Sequence, residues 1–302
     1  MNFIKQTFAE FSKDRCTTLA AALAYYTAFA LPPMLYLLLT ILTFALSVMY
    51  DSEDAETKAE GILHSQASQM IGNQAASEEI ATILENNKNT EGQWWKTLLS
   101  FAGIIVGATG VVAALQAALN QVWEVKPDPE ETGWTDTIGK RLLSFGMILG
   151  LGFLLLVSLV VSSVLQGFSE WIGVSGLLGG VVNFFVQAVV VLIVFAAIFK
   201  YMPDAIVEWK DVLVGAALTT ALFLVGRFLL QVYFMYSEPG AQLGAAASLA
   251  VLLVWVYYTA VIVLLGAEAT QTYAVRYGSG IRPERDAVRV VEKIKRNVEP
   301  TT

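Results

Sequence analysis

Val212–Tyr236, VLVGAALTTALFLVGRFLLQVYFMY, is an apolar run long enough to cross a bilayer, and it carries a single full charge, Arg227. About 20 apolar residues span the hydrocarbon core as a helix, the form that satisfies its own backbone where no water is present. A chain built around such a run has few folds open to it. An ionisable group at that depth costs roughly 2.5–3.5 kcal/mol on insertion scales, so Arg227 needs a reason to be there. Two reasons compete: its long stem snorkels toward a headgroup or pairs structurally, or its guanidinium handles a substrate.

The rest of the chain has the same character. Of 302 residues, 56% are hydrophobic and only 15% are charged, against about 25% charged in soluble domains; the mean hydropathy is +0.59. This is the composition of a polytopic membrane protein. The net charge of −7 gathers largely in one loop, so its distribution carries more meaning than its sum. One cysteine, Cys16, and one histidine, His64, exclude a disulfide framework within the chain and a Cys/His zinc cluster. No metal or cofactor is expected.

Met1–Lys13 sets Phe3, Ile4, Thr7, Phe8 and Phe11 on one helical face, as an interfacial amphipathic helix does. The uncharged run Cys16–Tyr50 follows; it is too long for a signal peptide's apolar core and contains Pro32 and Pro33, where a helix break or kink is expected. Asp51–Lys96 is the one large hydrophilic insertion, with helical spacing in Leu63, Ala67 and Met70 and again in Ala76, Ile80, Ile83 and Leu84. The expected fold is all-α, with six transmembrane helices near 24–49, 98–119, 142–165, 181–200, 212–236 and 245–268. Together with the extracytoplasmic helical insertion 51–96 they form a membrane domain over 1–275, followed by a basic tail at 276–302. In the tail, Ala287, Val291, Ile294 and Val298 share a helical face that suits an anionic leaflet. Lys and Arg number 15 in the segments assigned inside and 3 in those assigned outside, which orients both termini to the cytoplasm.

With that topology the polar residues of the spans fall into two tiers. Ser162, Gln166, Asn183, Gln187, Thr220, Arg227 and Gln231 form an outer tier, a candidate substrate pocket between the third, fourth and fifth helices. Gln116, Asn120 and Glu268 form an inner tier with Tyr25 and Tyr26, Glu268 standing just past the end of the sixth span. Interhelical hydrogen bonding alone, worth roughly 0.6 kcal/mol per contact, is the competing explanation of both tiers.

Five stretches taken together carry a resemblance: LAAALAYYTAFALPP (Leu19–Pro33), AALNQVWEVKPDP (Ala117–Pro129), RLLSFGMILGLGFLLLVSLVVS (Arg141–Ser162), EWKDVLVGAALTTALFLVGRFLLQVY (Glu208–Tyr233) and GAAASLAVLLVWVYYTAVIVLLGAE (Gly244–Glu268). The chain resembles the YihY/BrkB membrane proteins over most of its length, least in 51–96. That resemblance implies a six-helix protein of the bacterial inner membrane, with a basic residue at Arg227 and a Gly-Ala-Glu at Gly266, Ala267 and Glu268 closing the last helix. The Pro32-Pro33 pair departs from the single proline more usual in the family. The family's virulence-factor and "ribonuclease BN" labels define no mechanism.

Three functions follow for consideration. Transport or flipping of an anionic or amphipathic solute, an anionic lipid among them, would use Arg227 to attract a carboxylate or phosphate. A non-enzymatic envelope scaffold or assembly protein would use the polar tiers to hold its bundle together. A metal-dependent nuclease would need clustered ligands beside a basic groove, and the acidic run Asp128, Glu130, Glu131 and Asp136 has no histidine. The expected partners are therefore the lipid bilayer and a small anionic solute or lipid, not nucleic acid.

Overall fold

The computed structural model describes residues 2–47, 51–71, 110–128, 177–236 and 246–291. In chain order the helices are α1 (Phe3–Lys13), α2 (Cys16–Leu46), α3 (Ser52–Ile71), α4 (Gly110–Val122), α5 (Leu177–Tyr201), α6 (Trp209–Tyr236) and α7 (Ala246–Tyr277). Phe184–Tyr201, Trp209–Leu230 and Leu252–Tyr277, within α5, α6 and α7, are long and apolar enough to cross a membrane. Cys16–Ala30, the first part of α2, and α4 are shorter apolar stretches. The described residues are thus mostly helical with three candidate spans; the region 142–165 lies outside them.

α6 packs against both α5 and α7, while α7 also receives α1 and α2. Two reciprocal contacts set the α6–α7 approach. Gly215 lies under Thr270, and Gly266 under Thr219, so a Cβ on either glycine would collide with the facing threonine. Each threonine turns its hydroxyl back to its own helix, Thr219 to Gly215 O at 2.8 Å and Thr270 to Gly266 O at 2.9 Å. The hydroxyls are thereby satisfied, and the small residues let the backbones close in, as apolar helices do in lipid. Farther along, Gly226 makes room for Tyr258, whose hydroxyl donates to Leu222 O at 3.2 Å.

The core sits at one end of the bundle, around Trp123, Phe199, Leu119, Leu264 and Val212. Two short antiparallel pairings close that end. β1 (Val125–Pro127) pairs with β4 (Ala287–Arg289) in the register Val125↔Arg289, and β2 (Ala205–Ile206) pairs with β3 (Arg282–Pro283) in the register Ala205↔Pro283. The chain after α7 therefore ties the α4 exit and the α5–α6 connection together.

Several expectations need correction. α2 runs as one helix from Cys16 to Leu46, so Pro32 and Pro33 do not break it; the two prolines delete two backbone donors, a loss that a long apolar helix tolerates. Glu268 does not follow the last helix but lies inside it. α7 continues to Tyr277, where Gly278 and Gly280 stop it, with Gly280 at φ 75° and both amides returning to Ala274 O. Ala287 belongs to a strand rather than a helix, because residues 287–289 find a ladder partner in β1; Ile294 and Val298 lie outside the described residues. In the insertion, α3 covers Ser52–Ile71 as one helix packed on α2 through buried Ala55 and Ala59, and 72–96 lies outside the described residues. The amphipathic first helix is present, with Thr7 buried and Ile4 and Phe8 facing outward.

Candidate functional site

Arg227 is half-buried on α6, and its Nη1 donates to Gln187 Oε1 of α5 at 3.3 Å. Two residues of the outer tier are thus brought together across a helix interface. Among the described residues no carboxylate pairs with the guanidinium. Thr220 does not join them; it is buried and its hydroxyl donates to Ala216 O at 2.7 Å. The side chains of Asn183 and Gln231, and all of Ser162 and Gln166, lie outside the described residues.

The inner tier divides in two around an acid that belongs to neither expected tier, Asp204. Asp204, 5% exposed in the α5–α6 connection, accepts Asn120 Nδ2 on Oδ2 at 2.7 Å and Gln116 Nε2 on Oδ1 at 3.2 Å. Its amide donates to Asn120 Oδ1 at 2.9 Å, and its carbonyl accepts the Glu284 amide at 3.1 Å. Two of the side-chain amides of α4 are therefore committed to one carboxylate, an arrangement that fixes α4 against the loop. The Met202-Pro203-Asp204 turn carried the available signal, an aspartate placed to bond nearby backbone where a helix stops.

Glu268 occupies the other half, on α7, with 0% exposure. Cys16 Sγ, at the start of α2, donates to its Oε1 at 3.4 Å. Trp123 Nε1 donates to the preceding carbonyl, Ala267 O, at 3.1 Å, so the α4 exit locks onto the same turn. Tyr25 and Tyr26, 60% and 48% exposed, face outward and stack near Phe29 instead of entering the tier. At α2's spacing Tyr25 falls opposite Cys16, and Tyr26 to the side of the face that carries Cys16, Ala20 and Leu23 inward.

Between the α1–α2 junction, α4 and the β1–β4 pair lies a cavity of about 1240 Å³ lined by Lys13, Asp14, Arg15, Gln116, Asn120 and Asp204, among others. Two left-handed non-glycine residues frame it, Arg15 at φ 53° and Glu124 at φ 54°. Glu124 meets Lys13 at 3.2 Å and Arg289 at 3.5 Å, and Gln121 donates to Asp14 O at 3.0 Å. Hydrogen bonding to Glu10, and then to Glu124, holds the Lys13 ammonium's pKa above its ordinary value. Burial raises the Asp14 carboxyl, with Lys13 opposing.

The family model described as virulence factor BrkB matches residues 7–290. A membrane protein of Tolumonas auensis is 26% identical over 263 residues, covering 86% of this chain and 81% of that one. A membrane protein of Halorhodospira halophila is 28% identical over 290 residues; the chain spans 58% of its length. YfkH of Bacillus subtilis, which carries a ribonuclease-like name, is 25% identical over 279 residues, with 89% of this chain and 94% of that one aligned. No solved structure matches the chain.

Proposed function

We propose that this chain, which belongs to the virulence factor BrkB family of membrane proteins, moves an anionic or amphipathic solute, with Arg227 taking its carboxylate or phosphate. The observation that carries this reading is the guanidinium's spare capacity. Gln187 accepts from one donor at 3.3 Å, and no described carboxylate compensates the charge. A guanidinium offers five donors in a planar fork that matches carboxylate and phosphate oxygens. A structural ion pair would have supplied the partner from within the protein. The proposed role is non-enzymatic.

The proposed setting is a bacterial inner membrane crossed six times, with both termini cytoplasmic. The described basic residues support this: Lys13, Arg15, Lys126, Lys200, Arg276 and Arg289 belong to the bundle end where the α1–α2 junction, the α4 exit and the α7 end meet. A reporter fused after Thr302 should be active only as a cytoplasmic fusion, and one inserted near Asn73 only as an exported one. The reverse at either site contradicts the topology.

A scaffold role is the second reading, favoured by the Gly–Thr crossing of α6 and α7 and by the Asp204 knot, both devices for rigidity. Purified protein in vesicles carrying a headgroup-labelled anionic phospholipid separates the two. Transport predicts leaflet exchange of the label, impaired in Arg227→Gln. A scaffold predicts none in either protein.

A further inference from the structure

Glu268 is a fully buried acid that neither the Arg227 reading nor the packing uses. Its Oε1 accepts the Cys16 thiol at 3.4 Å, while Oε2 is buried with no hydrogen-bond partner among the described residues. From α1 and the α1–α2 junction the groups facing it are Asp14 and, farther off, Glu10. From α2 the Cys16 thiol bonds it. The α4 exit offers Trp123 Nε1, already committed to Ala267 O. Where α6 packs on α7 it presents Gly215 and Thr219 to Thr270 and Gly266, both without charge, and the Thr219 hydroxyl is committed to its own helix; Asp211 of α6 lies beyond, at Gly278. Of the cations lining the cavity, Lys13 is held by Glu10 and Glu124 at 2.9 and 3.2 Å.

A fully buried acid in an apolar surround, with a thiol as its one hydrogen-bond donor among the described residues and a second acid, Asp14, as its neighbour, is compensated most simply by a proton. A divalent cation would need several converging ligands, and among the described residues no group of three His, Cys, Asp or Glu has the geometry to hold a metal ion. Asp14 also lines the open cavity at this end of the bundle. It therefore neighbours both the polar space and the buried acid, as an intermediate carrier must.

We propose that Glu268 is a proton-binding site and that Asp14 passes the proton between it and the cavity, coupling solute movement to hydrogen ions. The coupling clause rests on the transport reading; the proton site does not. In the uptake step a hydronium ion in the cavity gives its proton to an Asp14 oxygen and leaves as water; the proton then transfers to Glu268, leaving Asp14 ionised and Glu268 neutral. Release reverses both transfers.

The test is labelling of the purified full-length protein by dicyclohexylcarbodiimide, which modifies protonated carboxyls in apolar surroundings, read by peptide mass spectrometry across pH. One adduct is expected at Glu268. It should fall by at least an order of magnitude (about 1.4 kcal/mol) toward alkaline pH, persist in sodium or potassium chloride, and vanish in Glu268→Gln. Asp14→Asn, which removes the neighbouring negative charge, should move the midpoint to lower pH; a purely structural Asp14 leaves it unmoved. Should Glu268→Gln not fold, the protonated-carboxyl infrared band of the wild-type protein must titrate with the same midpoint. Absence of an adduct at Glu268 at every pH in folded protein overturns the proton site, and so does protection by sodium. Labelling as expected, with label exchange indifferent to a pH gradient, overturns the coupling alone.

Discussion

Adding one methyl group at Gly215 tests the packing of the bundle most sharply. A Cβ there would overlap Thr270 Oγ1 and stand 2.7 Å from Gly266 O, closer than real Cβ atoms approach. Thr270 has no room to yield, since it is fully buried and its hydroxyl is bonded to Gly266 O at 2.9 Å; its β-branched side chain is also stiff. The helices must part instead. Overpacking of this kind costs about 1–3 kcal/mol, and losing the Thr270 bond about 1 kcal/mol more. The gain in helix propensity from glycine to alanine, about 1 kcal/mol, offsets part of it. Gly215→Ala should therefore lower stability by roughly 1–3 kcal/mol. Gly61→Ala on α3 is the matched control. Its Cβ meets nothing within 4 Å, so it should raise stability by about 0.5–1 kcal/mol. Thermal unfolding in detergent reads both, and adding Thr270→Ala to Gly215→Ala should recover part of the loss, a coupling of about 0.5–3 kcal/mol. A Gly215→Ala protein that melts with the wild type and shows no coupling to Thr270 refutes the close α6–α7 approach.

Further outcomes follow from the polar contacts. Asp204→Ala strands the Asn120 and Gln116 amides and should cost roughly 2–3 kcal/mol in the same melting assay, with Asp204→Asn milder because one acceptor survives. Arg227→Lys keeps the charge without the planar fork and should retain part of the lipid exchange, whereas Arg227→Gln should lose most of it while melting no lower than wild type. Burial raises Asp14, so the folded form binds that proton more tightly than the unfolded chain does. Its contribution is then fully present below the ordinary aspartate range and is lost as pH rises through the raised value. Melting curves over that range should flatten in Asp14→Asn.

Most of what was legible came from long periodic signals. The apolar runs at 181–200 and 212–236 predicted α5 and α6, and the Phe3–Phe11 face predicted α1. The Arg227–Gln187 contact followed from placing both residues in one tier. Hydropathy misjudged the end of α7, because Ala269–Tyr277 is less apolar than the preceding turns. The Gly278-Ser279-Gly280 stop was the better guide. The strand pairings left no trace, since two- and three-residue strands have no period and their partners lie far away in sequence. Asp204 was missed for the same reason: its value comes from Gln116 and Asn120, 88 and 84 residues earlier. The expected topology sets Tyr25 and Tyr26 in the inner tier, but both side chains are exposed, and depth alone does not assign a face.

Whether Arg227 receives an anionic group is tested most directly by a density map of the full-length protein extracted with its native lipids. A phosphate or carboxylate is expected within hydrogen-bond reach of the Arg227 guanidinium beside Gln187, absent from a map of Arg227→Gln prepared in the same way. A well-resolved guanidinium bonded to a carboxylate of the chain itself, with lipid headgroups ordered only elsewhere, would contradict it.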